Sequence, residues 1–526
     1  MTLSSKAQAI IDRARLQIPS MDNPRLADLP FDDFRPHQPP AIEAILQAFK
    51  DVNVVVLDAP TGSGKTLIAE AVRRMMAARA LYVCNTISLQ QQFIGDYKYA
   101  KLLMGRSNYT PELIGEGEWK TATCADCSKP TCPLCSSERT CPYSCAKMEA
   151  VGSPLTVLNT QYLLNEGNRQ GLFRGRELMV MDEADTLEKE LMRYAGVEIS
   201  KRRCEQYGLR EPEKVTVSSS WPTWFDCTIK NLRQHRLRIS GQTLRSQRER
   251  NYLERLLDQL RWIRPQIEEG WVYTGGNGYI SFKPVTVEDV GKKLLWPLGR
   301  KWLLMSATPI SGEMMVRELG WEENFEVVRV PHTFPVENRR VSIRPVANMS
   351  RKANERQQLI AGIRKIISTS NERTLIHTVS YDLAVHISEA LEGSGRPVLT
   401  YRTSGDKDRV LKSARLHPDG IIVAPSFDRG IDLPDDLCRI VIVAKIPFPY
   451  LGDRQVSKRM HGPNGQQWYS VQTVRTLVQM CGRGVRHKDD WCKTYILDSA
   501  FADLYRKNKR LFPNWFIESI DWSGNA

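Results

Sequence analysis

The chain has 526 residues, of which 25% are charged and 41% hydrophobic, and its Lys and Arg residues give it a formal net charge of +14. This balance excludes a wholly disordered chain, and the length corresponds to three or four domains at about 150 residues each. No segment approaches the roughly 20 consecutive apolar residues of a membrane span, and the N-terminus lacks a signal-peptide core. We therefore expect an intracellular protein without a membrane partner. The positive charge weakly indicates a polyanionic partner.

The first part of the chain alternates between predicted strands and helices. Residues 53–57 (Asn-Val-Val-Val-Leu) form a β-branched apolar run typical of a buried parallel strand. A glycine-rich turn follows at 59–64, and residues 67–80 have helical spacing. Further apolar runs predict strands at 81–84, 178–181 and 302–305. This alternation predicts a doubly wound α/β domain.

The glycine-rich turn has the sequence of a phosphate-binding loop, lying after a strand and before a helix. Its glycines allow backbone N–H groups to surround phosphate, and the helix N-terminus favours negative charge. Lys65 is expected to pair with the β- and γ-phosphates, and the Thr66 hydroxyl to bind Mg²⁺. The residues predicted to form the loop are Thr61, Gly62, Ser63, Gly64, Lys65 and Thr66.

A second motif, which is acidic, follows the predicted strand at 178–181. Here Asp182 is expected to hold Mg²⁺ and Glu183 to polarise the attacking water. An isolated Asp-Glu pair is usually a solvated turn. Behind a phosphate loop in a βαβ pattern, the ATP-hydrolysing interpretation is the stronger one.

Six of the chain's 12 cysteines lie within one short segment: Cys124, Cys127, Cys132, Cys135, Cys141 and Cys145. Disulfides are not expected in a reduced compartment, which leaves metal or redox chemistry. Four thiolates suit either a tetrahedral zinc site or an iron–sulfur cluster. The spacing alone does not choose between them.

A second insertion, at about 190–298, is strongly basic. Residues 201–265 hold 15 Lys or Arg against 7 Asp or Glu, and residues 253–263 have helical periodicity. The insertion is therefore predicted to be mostly helical. Its basic residues are predicted to contact nucleic-acid phosphates. Four tryptophans could stack on bases, but we favour a small hydrophobic core as their role: Trp221, Trp224, Trp262 and Trp271.

After a Pro- and charge-rich linker at 331–340, a second α/β pattern begins. Strands are predicted at 374–378, 397–400, 421–423 and 439–445, and a helix at 471–481. Arg483 and Arg486 are spaced to share one helix face. They could act as arginine fingers on a γ-phosphate or form a surface basic patch, and their spacing favours neither.

The order of these motifs resembles superfamily 2 helicases. The phosphate loop, Asp-Glu-Ala-Asp185, Ser306-Ala-Thr308, Asp428-Arg-Gly-Ile-Asp432 and Gln479-Met-Cys-Gly-Arg483 occur in the order of motifs I, II, III, V and VI. A Cys-rich segment between motifs I and II resembles the XPD/DinG-like iron–sulfur helicases. The resemblance covers roughly residues 30–500.

The resemblance implies two RecA-like domains of doubly wound parallel sheet, a Cys-rich Fe–S insertion and a mainly helical arch-like insertion. The implied boundaries are 1–104, 151–189 and 299–330 for domain 1, 105–150 for the Fe–S insertion, 190–298 for the arch-like insertion and 331–526 for domain 2. Further nucleotide-site residues implied in this way are Arg35, Gln38, Gly430, Asp432 and Gln479, the first two as adenine contacts.

The resemblance also favours a [4Fe–4S] cluster over zinc, and the preferred ligands are Cys127, Cys132, Cys135 and Cys141. A set that includes Cys124 stays open. The implied function is an ATP- and Mg²⁺-dependent helicase that moves 5′-to-3′ on single-stranded DNA and unwinds forked DNA, as in repair. Two alternatives remain, a translocase that does not unwind and a zinc-ribbon binding protein. Asp185 stands where the family usually has His, which questions how ATP chemistry couples to DNA.

Overall fold

The computed structural model describes residues 34–112, 117–127, 135, 140–212, 218–240, 243–267, 270–276, 278–349, 355–401, 406–425, 433, 435–482, 484–485 and 487–523. The predictions made for Cys132, Gly430, Asp432, Arg483 and Arg486 lie outside the described residues. None of the helices in the described ranges is long and apolar enough to cross a membrane.

Domain 1 is built on a seven-stranded sheet in the order β10-β1-β9-β5-β2-β4-β3, with every pair parallel. The central strands are apolar along their length because helices cover both faces. The strands are β1 (Val54–Asp58), β2 (Ala80–Val83), β3 (Lys101–Leu102), β4 (Leu155–Leu158), β5 (Arg176–Met181), β9 (Gly299–Ser306) and β10 (Glu326–Arg329).

The helices of this domain connect the parallel strands. They are α1 (Gln38–Asp51), α2 (Lys65–Met75), α3 (Ile87–Asp96), α4 (Pro142–Gly152), α5 (Thr160–Arg169), α6 (Leu187–Ala195), α10 (Glu288–Leu294) and α11 (Gly312–Glu318). The helix predicted at 67–80 begins two residues earlier and ends at Met75. It ends there because the chain turns at Ala77, whose φ is 47°.

Domain 2 contains a second seven-stranded parallel sheet, ordered β13-β14-β12-β15-β16-β11-β17. The four predicted strands are present. The sequence interpretation missed β11, β16 and β17, because they lack the continuous apolar run of strands such as β14 and β15. The strands are β11 (Val341–Ala347), β12 (Thr374–His377), β13 (Val398–Thr400), β14 (Ile421–Ala424), β15 (Ile440–Val443), β16 (Lys493–Asp498) and β17 (Ile520–Asp521).

The helices of domain 2 include the one predicted at 471–481, which is longer than expected. They are α12 (Glu355–Ile367), α13 (Tyr381–Leu391), α14 (Lys407–Arg415), α15 (Arg454–Met460), α16 (Gly465–Cys481), α17 (Ala500–Asn508) and α18 (Asn514–Ser519). Together, the two parallel-sheet domains confirm the predicted fold class.

The basic insertion is mainly helical, as predicted, but it also contains a small antiparallel sheet that the sequence interpretation missed. Its helices are α7 (Lys201–Tyr207), α8 (Trp221–Leu237) and α9 (Leu244–Ile263), and its strands are β6 (Val197–Ile199), β7 (Trp271–Gly276) and β8 (Tyr279–Pro284), ordered β6-β8-β7. Trp221 and Trp271 are buried in its core, and Trp224 and Trp262 pack against that core. The structural role favoured for the tryptophans is confirmed.

Candidate functional site

The loop between β1 and α2 has a backbone that requires glycine. Gly62 and Gly64 have φ values of 78° and 79°, in the left-handed region that L-residues with side chains rarely adopt. A Cβ atom on Gly64 would also lie 2.3 Å from the amide nitrogen of Gln38. Glycine at these two positions therefore allows the loop to lead directly into the N-terminus of α2, where an anion is favoured.

Lys65 and Thr66 begin α2 at the floor of this loop. The Lys65 Nζ atom donates to the carbonyl oxygens of Ala59 and Pro60, at 3.2 and 3.4 Å. The Thr66 hydroxyl lies 3.5 Å from the Tyr82 hydroxyl. Lys65 thus rests on the loop's own carbonyl groups, from which a bound phosphate could draw it.

Arg35 and Gln38 contact the phosphate loop directly. The Gln38 side chain is 2% exposed; its Oε1 accepts from the Arg35 N–H at 2.8 Å, and its Nε2 donates to the Ser63 carbonyl at 3.1 Å. The Arg35 guanidinium donates to the Gly62 carbonyl. These contacts stabilise the shape of the loop, while the adenine contact expected of both residues stays a prediction.

The acidic pair lies at the carboxyl end of β5, beside the loop. The Asp182 carboxylate accepts from the Tyr82 hydroxyl at 2.7 Å and from the Glu183 N–H at 2.9 Å. Burial, and then the charge of Asp182, raises the pKa of Tyr82, so the phenol stays a donor. Glu183 itself has a φ of 50°, an uncommon conformation for a residue with a side chain. Tyr82 was missed from sequence because its position in a strand carries no motif.

Asp58 ends β1 just before the loop and adds a second unusual carboxyl group. Burial raises its pKa to about 6, although the charges of Arg329 and Lys65 act in the opposite direction. Arg329 lies 3.8 Å away at the end of β10. The two cations therefore offset only part of the cost of burying the Asp58 carboxylate beside the phosphate loop.

A cleft of about 550 Å³ brings these groups opposite domain 2. Domain 1 lines it with the phosphate loop, Lys65, Thr66, Asp182 and Glu183, and domain 2 lines it with Gln479, Gly482 and Val485 of the predicted motif VI. The arrangement suits a polyphosphate held between two domains.

Asp185 joins the two domains through hydrogen bonds. Its carboxylate accepts from the Ser306 hydroxyl at 2.7 Å and from the Gln479 amide at 2.8 Å, and the same amide lies 2.7 Å from the Thr308 hydroxyl. The aspartate that stands in place of the family's histidine is therefore connected to motifs III and VI.

We expect Gln479→Ala to lower DNA-stimulated ATP turnover and strand separation about tenfold, and to lower ATP hydrolysis without DNA much less. The variant removes the donor that connects Asp185 and Thr308 to domain 2, at a cost of about 1–2 kcal/mol. Steady-state ATPase assays with and without single-stranded DNA would measure this. The matched control is Gln467→Ala, an exposed glutamine on the same helix. Equal losses with and without DNA would contradict a coupling role.

A second contact between the domains is ionic and buried. The Arg459 guanidinium of α15 pairs with Glu188 of α6 and with Glu318 of α11, the latter at 3.0 Å. It also lies over the Trp468 ring, 4.4 Å from the centroid. Burial, and then the charge of Glu188, raises the pKa of Glu318 from 4.5 to about 7, because one arginine serves two carboxylates.

This raised pKa predicts a pH-dependent contact. The Glu318 carboxyl group binds a proton more tightly when the two domains are in contact than when they are apart. Its contribution to the stability of the contact is therefore full below pH 4.5 and is lost as the pH rises through 7. Between pH 6 and 8, the contact should weaken by about 1 kcal/mol in the parent and much less in Glu318→Gln. Hydrogen exchange of the α15 amides would measure it. Glu322→Gln, which alters an exposed carboxylate paired with Lys292, should behave like the parent, and the same pH dependence in Glu318→Gln would contradict the assignment.

Three of the clustered thiols come together in the described part of the Cys-rich segment. Cys124, Cys135 and Cys141 are buried in one core. The pKa of Cys141 is lowered: burial raises it, but hydrogen bonds from Ser144, Cys124 and Cys135 outweigh that effect. Cys127, a preferred ligand, packs instead in a separate small cluster with Ala122 and Leu244. The described geometry thus favours Cys124 over Cys127, which spacing alone could not indicate.

The Cys-rich segment and the basic insertion are in contact. Arg248 of α9 pairs with Asp126 at 3.0 Å, and the Asn251 amide donates to the Ala125 carbonyl at 3.0 Å. Leu244, at the start of the same helix, packs against Ala122 and Cys127. The described parts of the two insertions are therefore in direct contact.

Two family models match the chain. Residues 32–204 match the model described as the res subunit of type III restriction enzymes, and residues 363–519 match the model described as a helicase C-terminal domain. The first range holds the phosphate loop and the acidic pair, and the second holds Gln479. The two halves of the cleft thus match two different family models.

Curated relatives are similar over parts of their length. The Fanconi anemia group J protein homolog of Gallus gallus is 30% identical over 131 residues, which are 23% of this chain and 10% of that protein. The ATP-dependent DNA helicase YoaA of Escherichia coli is 25% identical over 237 residues, or 42% of this chain and 37% of that protein. The chain spans less than half the length of these relatives.

Two solved structures align with this chain over most of its length. Xpd4 of S. tokodaii aligns with a TM-score of 0.59 and 16% identity, covering 93% of this chain and 100% of that one. An XPD helicase aligns with a TM-score of 0.64 and 17% identity, covering 91% and 98%. The fold of this chain is therefore the one seen in these XPD structures, and its C-terminal part matches the helicase C-terminal domain model.

Proposed function

We propose that the protein is an ATP-dependent DNA helicase. The observation that carries this proposal is the cleft in which Lys65, Asp182 and Glu183 of domain 1 face Gln479 of domain 2. A γ-phosphate held there contacts both domains, so its hydrolysis can change their separation. The domain boundaries given above are part of the proposal.

Each group in the cleft has a role that its position suits. Lys65 neutralises the β- and γ-phosphates, while Thr66 and Asp182 hold Mg²⁺ and Glu183 activates water. Arg483 and Arg486 supply positive charge from domain 2, a role supported by their neighbours Gly482 and Val485, which line the cleft. Gly430 and Asp432 are proposed to contribute from motif V.

The cycle follows from the charge of the nucleotide. Bound ATP attracts cationic groups of both domains and favours the closed cleft, and loss of phosphate weakens that attraction. The Asp185–Gln479 bond and the Arg459 ion pairs lie where the domains meet, so they respond to each opening. Alternating grip on one strand would turn this into 5′-to-3′ steps.

We propose that the clustered thiols hold a [4Fe–4S] cluster, with Cys124, Cys135 and Cys141 as ligands and Cys132 as the fourth. Buried thiols at hydrogen-bond distance, one of them with a lowered pKa, fit a thiolate-bound metal. When bound, the cluster supplies covalent cross-links to a segment with a small core of its own. The Arg248–Asp126 contact would then hold the Cys-rich segment in place as a wedge that separates the DNA strands.

The surface between the two insertions suits a nucleic-acid phosphate. An open cavity of about 1020 Å³ is lined by Arg202, Arg203, Arg245 and Arg248, together with Thr121 of the Cys-rich segment. Two carboxylates, Glu205 and Glu249, also line it. Positive charge exceeds negative charge there, so we propose that the single strand passes along this surface.

Reversing two of these charges should weaken DNA binding in a salt-dependent way. We expect Arg202→Glu with Arg245→Glu to raise the Kd for single-stranded DNA at least tenfold at low salt. The slope of log K against log salt should fall by about 1.4, because each lost phosphate contact contributes about 0.7. Fluorescence anisotropy across a salt series would measure both. Arg261→Glu, exposed on the same α9, is the control. An unchanged slope would rule out phosphate contact at this surface.

Strand-displacement and ATPase assays on matched DNA and RNA forks test the whole proposal. ATP turnover stimulated by single-stranded DNA and unwinding of a 5′-tailed fork support it. Turnover and movement without unwinding would instead show a translocase. Zinc in place of iron, with no DNA-stimulated turnover, would show a binding protein.

A further inference from the structure

The nucleotide cleft extends beyond the phosphate loop in two directions. At one end it is lined by α3, including Leu89 and Phe93, and at the other by His332, Arg339 and Trp515 of the interdomain linker and α18. The second end contains two partly buried aromatic rings that the proposed chemistry does not use. The following inference rests on the proposal that this cleft binds ATP.

The order of strands indicates which end receives the base. Glu183, which must face the γ-phosphate, follows β5, and β5 is separated from β1 by β9. The base must therefore extend the opposite way, towards β10, the other neighbour of β1. His332 lies three residues after β10. Beside the phosphate loop, Arg35 precedes α1 and Gln38 begins it. This helix packs against α2 and β10.

The aromatic groups at that end are held as one wall. The His332 and Trp515 rings have centroids 5.2 Å apart at an angle of 41°. Arg339 ties them together: its guanidinium donates to the Phe334 carbonyl at 3.2 Å and to the Trp515 carbonyl, and it pairs with Glu518 at 3.6 Å. A preformed wall reduces the entropy lost when a flat ligand binds.

The chemistry of His332 suits a neutral base. Burial, and then the charge of Arg339, lowers its pKa to about 4. Its Nδ1 accepts the Phe334 N–H at 3.2 Å, so the neutral ring carries its proton on Nε2. The wall therefore presents apolar ring faces and one N–H donor, which match the faces and ring nitrogens of a purine.

We propose that His332 and Trp515 bind the base of the nucleotide and set its affinity and purine preference. Base–aromatic stacking is worth about 1–3 kcal/mol, so removing either ring should weaken binding roughly tenfold or more. Phosphate affinity should not change, because the phosphate loop lies elsewhere in the cleft.

Calorimetric titration of the full chain with ADP and with inorganic pyrophosphate tests the proposal. For His332→Ala and Trp515→Ala, we expect the Kd for ADP to rise about tenfold and that for pyrophosphate to change less than twofold. Trp515→Phe should keep most of the affinity. Trp522→Ala, which removes an exposed tryptophan outside the cleft from the same C-terminal region, should match the parent, and thermal unfolding would check each variant's fold.

Unchanged ADP affinity in both alanine variants would overturn the proposal. Equal weakening of ADP and pyrophosphate would also overturn it, because the rings would then act on the phosphate loop or on the fold. The test is independent of unwinding: a chain that binds ADP through this wall but fails to separate strands would disprove the proposed helicase function alone.

Discussion

Replacing Lys65 by alanine is expected to lower ATP turnover at least 100-fold while leaving the fold intact. Its ammonium group is the first cation of α2 and rests 3.2 Å from the Ala59 carbonyl, within the loop expected to hold the phosphates. Removing one preorganised donor from a developing charge typically costs 10²–10³ in rate. Phosphate-release assays at saturating ATP would measure the loss, with circular dichroism to confirm the fold.

The matched control is Lys50→Ala, which removes an exposed lysine that bonds only Gln47 among the contacts described for it. It should retain parental turnover. Glu183→Gln separates binding from chemistry, because it keeps the shape of the side chain but cannot take a proton from water. We expect it to bind ATP normally and hydrolyse it at least 100-fold more slowly. Normal turnover in either Lys65→Ala or Glu183→Gln would overturn the site assignment.

The residues that could be predicted from sequence are those whose signal is local. β1 is apolar at successive positions because it is buried on both faces, and the phosphate loop needs its glycines at Gly62 and Gly64. Edge strands such as β3 and β10 carry little signal because they are short and partly exposed. In the basic insertion, β6 was missed for a related reason: it has only three residues and pairs with the distant β8.

The parts of the site that could not be predicted depend on contacts between distant segments. The bond between Asp185 and Gln479 joins the two domains, and no pattern near either residue indicates it. The same holds for Arg459 and its two glutamates. Cys124 and Cys127 have similar sequence surroundings, yet one joins the thiol group and the other packs against Leu244 of the basic insertion. His332 lay in a linker whose Pro and charged residues suggested only a connection.

Replacing Cys135 by serine is expected to remove bound iron and to lower unwinding of forked DNA at least tenfold, while ATP hydrolysis stimulated by single-stranded DNA falls less than threefold. Cys135 is buried beside Cys141 and far along the chain from the phosphate loop. Loss of the cross-links should loosen the Cys-rich segment and its contact with Arg248, so the strand is still gripped but the duplex is no longer split. Iron quantification, visible absorbance, and ATPase and strand-displacement assays would measure the three effects.

The control for this variant is Cys227→Ser, because Cys227 is exposed on α8, outside the Cys-rich segment. It should keep iron and unwinding at parental levels. Arg248→Ala sharpens the argument: if the cluster acts by holding a wedge, this variant should keep its iron and still lose part of the unwinding, because the contact with Asp126 carries the rigidity from one insertion to the other. Full unwinding by Cys135→Ser without iron would show that the thiols serve another purpose. Equal loss of ATP hydrolysis would show that they support domain 1 as a whole.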